Sequence, residues 1–208
     1  MENKVKGFSD FLFEKELPDS QGKVLVMLGA PGSGKGTLSK QLSDKYGINH
    51  ISTGELIRNS DDPELKKIVE AGNFIPDEMM LKMLRKELKK IDLSKGIIFD
   101  GYPRNIKQAR KLDSLLGKIG LGLNHAVYIS IPDEVAKERI RKRAEKENRK
   151  DDSNEETINK RFDEYKEKTY PLVDFYKKSR KLVRIDGELG MEGVLKSAVK
   201  KIGIKKPK

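Results

Sequence analysis

The chain has no cysteine. Disulfides and thiolate metal sites are therefore excluded. Histidine is almost as scarce: His50 and His125 are the only two. Neither has a sequence partner that suggests a ligand set or an activated nucleophile, and both are expected to be structural. Hydrophobic residues make up only 36% of the chain against 37% charged, so much of the charge must lie on solvated helix faces, with Lys and Arg stems covering apolar neighbours. No apolar run approaches bilayer length. Acidic residues interrupt residues 1–21, where a targeting signal would need an apolar core. A soluble, cytoplasmic protein is expected, with Phe8, Phe11 and Leu12 at helical spacing in an N-terminal extension that packs on the body.

Positive charge is what the chain has in excess: 44 Lys and Arg against 33 Asp and Glu, a net +11 and a pI near 9.5. That balance suits a polyanionic ligand, either nucleic acid or nucleotide phosphates, and composition alone does not choose. The C-terminal IKKPK lacks the interleaved aromatics of a single-strand binder and is expected to be a solvated tail. A length of 208 residues fits one domain with inserted flaps, long enough for a sheet covered on both faces.

Strand-length apolar runs alternate with longer charged segments of helical period. Strands are expected at Val24–Leu28, His50–Ser52, Gly96–Phe99, Ala126–Ile131 and Leu182–Ile185. Helices are expected at Lys35–Tyr46, Pro76–Lys90, Ile106–Leu116, Asp133–Arg143, Glu155–Lys178 with a break near Pro171, and Met191–Ile202. This alternation implies an α/β fold around a parallel sheet, with a ligand at the carboxyl ends of the strands.

At one such end stands GAPGSGKGT, Gly29 to Thr37, between a strand and a helix. Its glycines let successive N–H groups converge on one anion, the following helix adds its positive end, and Lys35 adds a mobile charge for a terminal phosphate. The loop departs from the general phosphate-loop signature in one way: Gly36 separates Lys35 from the hydroxyl of Thr37. A second segment, Ile97 to Asn105, ends a strand in Asp100 and follows it with Arg104. The carboxylate can hold magnesium or a water on it. It equally suits a turn cap, and Arg104 tilts the balance toward a phosphate site. In a third segment, Ile51 to Arg58, helix capping accounts for Thr53 and Glu55 but not for Arg58. Arg139 and Arg143 share one helical face farther on, with Arg149 and Arg161 beyond them. Without a phosphate loop such a series reads as a solvated face.

Together GAPGSGKGT, STGELIR, DGYPRN with Gln108 and the late arginines resemble the nucleoside monophosphate kinases, most closely the adenylate kinases, from about residue 23 to about residue 188. The resemblance implies a P-loop three-layer α/β/α domain with a five-stranded parallel core. It also implies a flap for the nucleoside monophosphate (NMP) over residues 52–81 and a short lid over residues 143–152. The implied reaction is reversible transfer from Mg-ATP to AMP, giving two ADP. Carried over by position, Gly32, Ser33, Gly34, Lys35, Gly36 and Thr37 would cradle the ATP phosphates, with Arg139 and Arg143 on the same nucleotide. Thr53, Arg58, Asn73, Phe74, Ile75, Gly101, Tyr102, Pro103, Arg104 and Gln108 would hold AMP. Arg149 and Arg161 would close on the acceptor and the transferring group. The implied catalytic set is Lys35, Arg104, Arg139, Arg143, Arg149 and Arg161, with magnesium held through Thr37 and Asp100 and no zinc site. A Gly between Lys35 and Thr37 is normal in the family.

Three departures accompany the match. The chain between Arg58 and Gly72 is several residues shorter than usual, one extra residue between Arg149 and Arg161 leaves Lys150 competing for the lid position, and Glu55 stands where Asp is common. The implied partners are ATP and AMP, with a monomeric state and neither nucleic acid nor membrane. A UMP/CMP-type kinase is the alternative, since Thr53 and Gln108 are where pyrimidine-directed relatives differ. A basic P-loop ATPase or RNA-binding protein is a more distant one.

Overall fold

The first strand, β1 (Val24–Leu28), is buried along its whole length, and its side chains divide by parity. Val24, Val26 and Leu28 join one apolar cluster, and Leu25 and Met27 join another. A strand with period-two alternation and no polar face must lie inside a sheet covered on both sides. The computed structural model, which describes residues 22–60, 63–70, 75–147 and 154–205, places β1 at that centre.

Four further strands, β2 (Asn49–Ser52), β3 (Ile97–Asp100), β4 (His125–Ser130) and β5 (Leu182–Asp186), complete a parallel sheet of order β2-β3-β1-β4-β5. One face packs under α1 (Lys35–Tyr46) through Leu38 and Leu42, and under a C-terminal helix, Gly190–Ile202, through Leu195, Ala198 and Ile202. The other face packs helices Asp77–Leu88, Ile106–Gly117 and Pro171–Lys178 through residues such as Leu84, Leu112 and Leu172. In chain order the remaining helices are α2 (Thr53–Arg58), α3 (Pro63–Glu70), α4 (Asp77–Leu88), α5 (Ile106–Gly117), α6 (Asp133–Glu147), α7 (Glu155–Glu164), α8 (Pro171–Lys178) and α9 (Gly190–Ile202). A short 3-10 turn, Leu93–Lys95, leads into β3.

All five expected strands form, each within a residue of its expected bounds. Two helical expectations are corrected. The segment Pro63–Glu70 forms a helix that periodicity did not announce, and α6 runs on to Glu147, so Arg143 lies inside the helix and not at its end. The break before Pro171 takes a definite form: residues Tyr165–Thr169 widen into a π-helical turn, with the Tyr170 N–H donating to the Tyr165 carbonyl at 2.8 Å. A proline supplies no N–H and its ring crowds the carbonyl four residues back, and the wider turn accommodates both. Residues 1–21, residues 148–152 of the expected lid (Arg149 and Lys150 among them), Asn73 and Phe74 lie outside the described residues.

Register brings the strand ends together. Met27 stands beside Asp100, Ser52 beside Asp100, and Ser130 beside Asp186. The connection from β1 departs toward β3 and β2 while β4 and β5 lie on its other side. The carboxyl end of β1 is thus the switch point at which open α/β sheets form their crevice.

Candidate active site

A cavity of about 1080 Å³ opens at that edge. Its floor is the phosphate loop. Gly34 caps α1 in a left-handed conformation, φ 95°, and no side chain caps this helix end, so its first N–H groups are left for a ligand. Ser33 is buried beneath the loop. Lys35 Nζ donates to the carbonyls of Gly29 and Ala30, each at 2.8 Å, and approaches Ser33 Oγ at 3.4 Å. The residue as a whole is half-buried, yet its ammonium is turned inward. Burial lowers its pKa from 10.5 to about 8; Asp100 opposes that shift, while Arg161, Arg104 and Arg143 add to it.

Gly36, which interrupts the usual signature, has a local reason. A side chain there would come within 3.3 Å of Asp100 Oδ2. Asp100 is 14% exposed, and His50 Nε2 stands 3.5 Å from its Oδ2. That is the outer limit of hydrogen-bonding distance, and His50 Nε2 makes no well-formed bond there. Burial works to raise the Asp100 pKa, but His50, Lys35 and Arg104 outweigh it, and the net shift is downward. The carboxylate is held ionised beside the loop. Sequence reasoning treated His50 as structural, and only the β2–β3 pairing reveals it as a neighbour of this acid.

The far wall is the loop after β3. Gly101 adopts φ +83°, and a side chain there would strike Thr53 Oγ1. Tyr102–Pro103 is a cis peptide bond. Arg104 folds its Nε onto the Gly101 carbonyl at 2.8 Å, while its own carbonyl accepts from Thr169 Oγ1 at 2.9 Å. Asn105 caps α5 by accepting from the Gln108 N–H at 2.8 Å. The side wall comes from α6 and α7. Ala136 and Ile140 of α6 pack on Ile158 and Phe162 of α7, which turns Arg139, Arg143 and Arg161 toward the cavity. Arg139 Nη2 also donates to the Gly187 carbonyl at 3.0 Å, joining α6 to the turn after β5.

Of the residues expected from sequence, Gly32 to Thr37, Arg58, Ile75, Asp100 to Arg104, Gln108, Arg139, Arg143 and Arg161 line this one cavity. Thr53 does not. It is fully buried behind the wall, with its hydroxyl donating to the Asp100 carbonyl at 3.2 Å, while its neighbours Ser52, Gly54 and Glu55 reach the surface of the cavity. Lining residues missed by sequence reasoning include Glu164, Tyr165 and Thr169 around the π turn and Gly187, Met191 and Val194 near β5. The last three follow a strand end, which was the one available signal.

The arrangement gathers cations from the loop, α2, the 101–108 segment, α6 and α7 around the Asp100 carboxylate. It can hold two polyanions and stabilise charge passing between them. The profile of the adenylate kinase family matches residues 27–181. The chain belongs to the adenylate kinase family. Proteins named adenylate kinase from Xanthomonas euvesicatoria and Xanthomonas axonopodis are each 43% identical over 185 residues, covering 86% of this chain and 98% of the relative. One from Stenotrophomonas maltophilia is 43% identical over 169 residues, covering 78% and 90%. This adenylate kinase family member is a nucleoside monophosphate kinase, a phosphotransferase between ATP and AMP. Among the described residues no helix is long and apolar enough to cross a membrane.

Proposed function

We propose that the cavity holds Mg-ATP on the phosphate-loop side and AMP on the side of the 101–108 segment, and that its cations carry the phosphoryl group between them. The observation that carries this reading is the convergence of Lys35, Arg104, Arg139, Arg143 and Arg161 on one cavity beside Asp100. Gly32 to Thr37 take the donor phosphates, with Arg139 and Arg143. Arg58, Ile75, Gly101 to Arg104, Gln108 and Arg161 take the acceptor. Thr53 supports that wall from behind, and Asn73, Phe74 and Arg149 are assigned by position alone.

The acceptor phosphate is largely dianionic at neutral pH, its second pKa being about 6, so no general base is needed. The residues therefore position, desolvate and neutralise, and a single well-placed Arg can contribute roughly 10³ to 10⁵ in rate. The donors fit magnesium: Asp100 is ionised and next to the loop, and Thr37 lines the same cavity. An ion shared with phosphate oxygens needs few protein ligands, and when bound it would neutralise charge between the phosphates. The segments 52–81 and 143–152 are proposed as flap and lid. They exclude water that would otherwise hydrolyse ATP. The reading also takes the enzyme to be a cytoplasmic monomer without a nucleic-acid partner.

A panel of AMP, GMP, CMP and UMP with Mg-ATP, followed by diphosphate formation, tests this directly. AMP is expected to be the preferred acceptor. Preference for UMP or CMP would move the assignment to a pyrimidine kinase, and ATP hydrolysis without an acceptor product would reject it.

A further inference from the structure

Gln108 is 4% exposed and lines the cavity, and both ends of its amide are already committed. Its Oε1 accepts the Arg104 backbone N–H at 2.7 Å, and its Nε2 donates to Asp77 Oδ1 at 2.8 Å. A backbone N–H can only donate and an ionised carboxylate can only accept. These two partners therefore fix which end of the amide is oxygen and which is nitrogen. Turning the amide over would set donor against donor at Arg104 and acceptor against acceptor at Asp77. Asp77 does not line the cavity. It opens α4, and Lys111 Nζ lies 3.8 Å from its Oδ2 while also pairing with Glu78 at 2.5 Å.

We propose that Asp77 is a positioning residue that, together with the Arg104 N–H, locks the Gln108 amide and thereby selects adenine over 6-oxopurines in the acceptor. The inference rests on the reading that Gln108 meets the acceptor base. Adenine offers an acceptor at N1 and a donor at N6, which complement an amide with its remaining N–H and its oxygen lone pair in fixed places. Guanine and hypoxanthine offer a donor at N1 and an acceptor at O6, the pattern that suits the opposite amide orientation. A freely turning amide would serve both edges, whereas a locked one leaves the 6-oxopurine edge with mismatched buried groups.

The test compares kcat/KM for AMP and for inosine monophosphate, whose ring edge matches guanine without the 2-amino group. Asp77→Ala, or Asp77→Leu where Ala does not fold, is expected to lower the AMP-to-IMP ratio roughly tenfold, chiefly through KM for AMP, the scale of one hydrogen bond to a charged group. KM for ATP stays unchanged. Asp77→Asn can turn its own amide to donate as well as accept, so it relaxes the lock and is expected to lower the ratio too, though by less than Asp77→Ala. Asp77 Oδ2 has a second lysine, Lys107, at 3.9 Å; Lys107→Met with Lys111→Met removes both ion pairs but leaves the amide lock, and is expected to keep the ratio. In a Gln108→Ala background the Asp77 change should have no further effect on the ratio. An unchanged ratio in Asp77→Ala, or an equal loss in Lys107→Met with Lys111→Met, overturns the proposal. If Gln108→Ala itself leaves the ratio unchanged, the reading of Gln108 as a base contact fails, which is a separate outcome from failure of the lock alone.

Discussion

The two sides of the cavity are built from different materials. The donor side is mostly backbone: a glycine loop, an uncapped helix end, and a Lys whose ammonium is held by two loop carbonyls. The acceptor side relies on side chains: Thr53 bonds the Asp100 carbonyl, Thr169 the Arg104 carbonyl, and Gln108 both the Arg104 N–H and Asp77. Backbone N–H groups recognise phosphate whatever nucleoside carries it. Side-chain amides and carboxylates distinguish base edges. On the proposed assignment, the donor side sets that a polyphosphate binds, and the acceptor side sets which monophosphate is paired with it.

The largest expected effects break each side in turn. Lys35→Ala and Arg104→Ala should each lower turnover by about 10³ or more, as removal of a charge on the transferring group does. The first should mainly disturb ATP and the second mainly AMP. Circular dichroism should find both folded, and near-normal rates in either would contradict the site.

The next effect belongs to the donor side alone. Because the Lys35 pKa is about 8 in the folded chain, kcat/KM for ATP should fall about tenfold per pH unit above that value, since this parameter reports the free enzyme. Lys35→Arg should abolish the fall at a lower absolute rate, and an unchanged fall would assign it to another group. The stability sign is opposite. A Lys pKa depressed from 10.5 to about 8 means that the fold disfavours the charged form. Its unfavourable contribution is fully present below about 8 and is relieved as pH rises toward the unfolded value. Lys35→Met should therefore raise the melting temperature at pH 7.

Smaller effects sharpen the contrast. Gly101→Ala combines a left-handed backbone with a clash at Thr53, and should cost about 2 kcal/mol or more of stability, read as a lower Tm. Gly36→Ala meets only Asp100 Oδ2, at 3.3 Å, and should alter activity more than Tm. Thr169→Val removes the hydroxyl that holds the Arg104 carbonyl. It should raise KM for AMP several-fold, about 1 kcal/mol, with KM for ATP unchanged. An equal rise in both constants would mean that the two sides are not separable in this way.

The donor side was also the more legible in the sequence. A glycine loop between an apolar run and a helical period declares its geometry locally, and Lys35 and Thr37 fall where the spacing puts them. Asp100 and Arg104 were legible as a strand end, and α6 and α7 as charged helices. What escaped depends on long-range packing. The proximity of His50 to Asp100 comes from strand register. Thr169 reaches Arg104 only because a π turn precedes Pro171, and Gln108 meets Asp77 across 31 positions of chain. The helix Pro63–Glu70 escaped because eight residues are too few for periodicity to speak.

The central claim is that one cavity takes two nucleotides side by side, and calorimetric titration of the wild-type chain with ADP and magnesium tests it most directly. The account predicts two ADP bound per chain, with Arg104→Ala weakening only the acceptor-side one. Saturation at a single ADP per chain would contradict it.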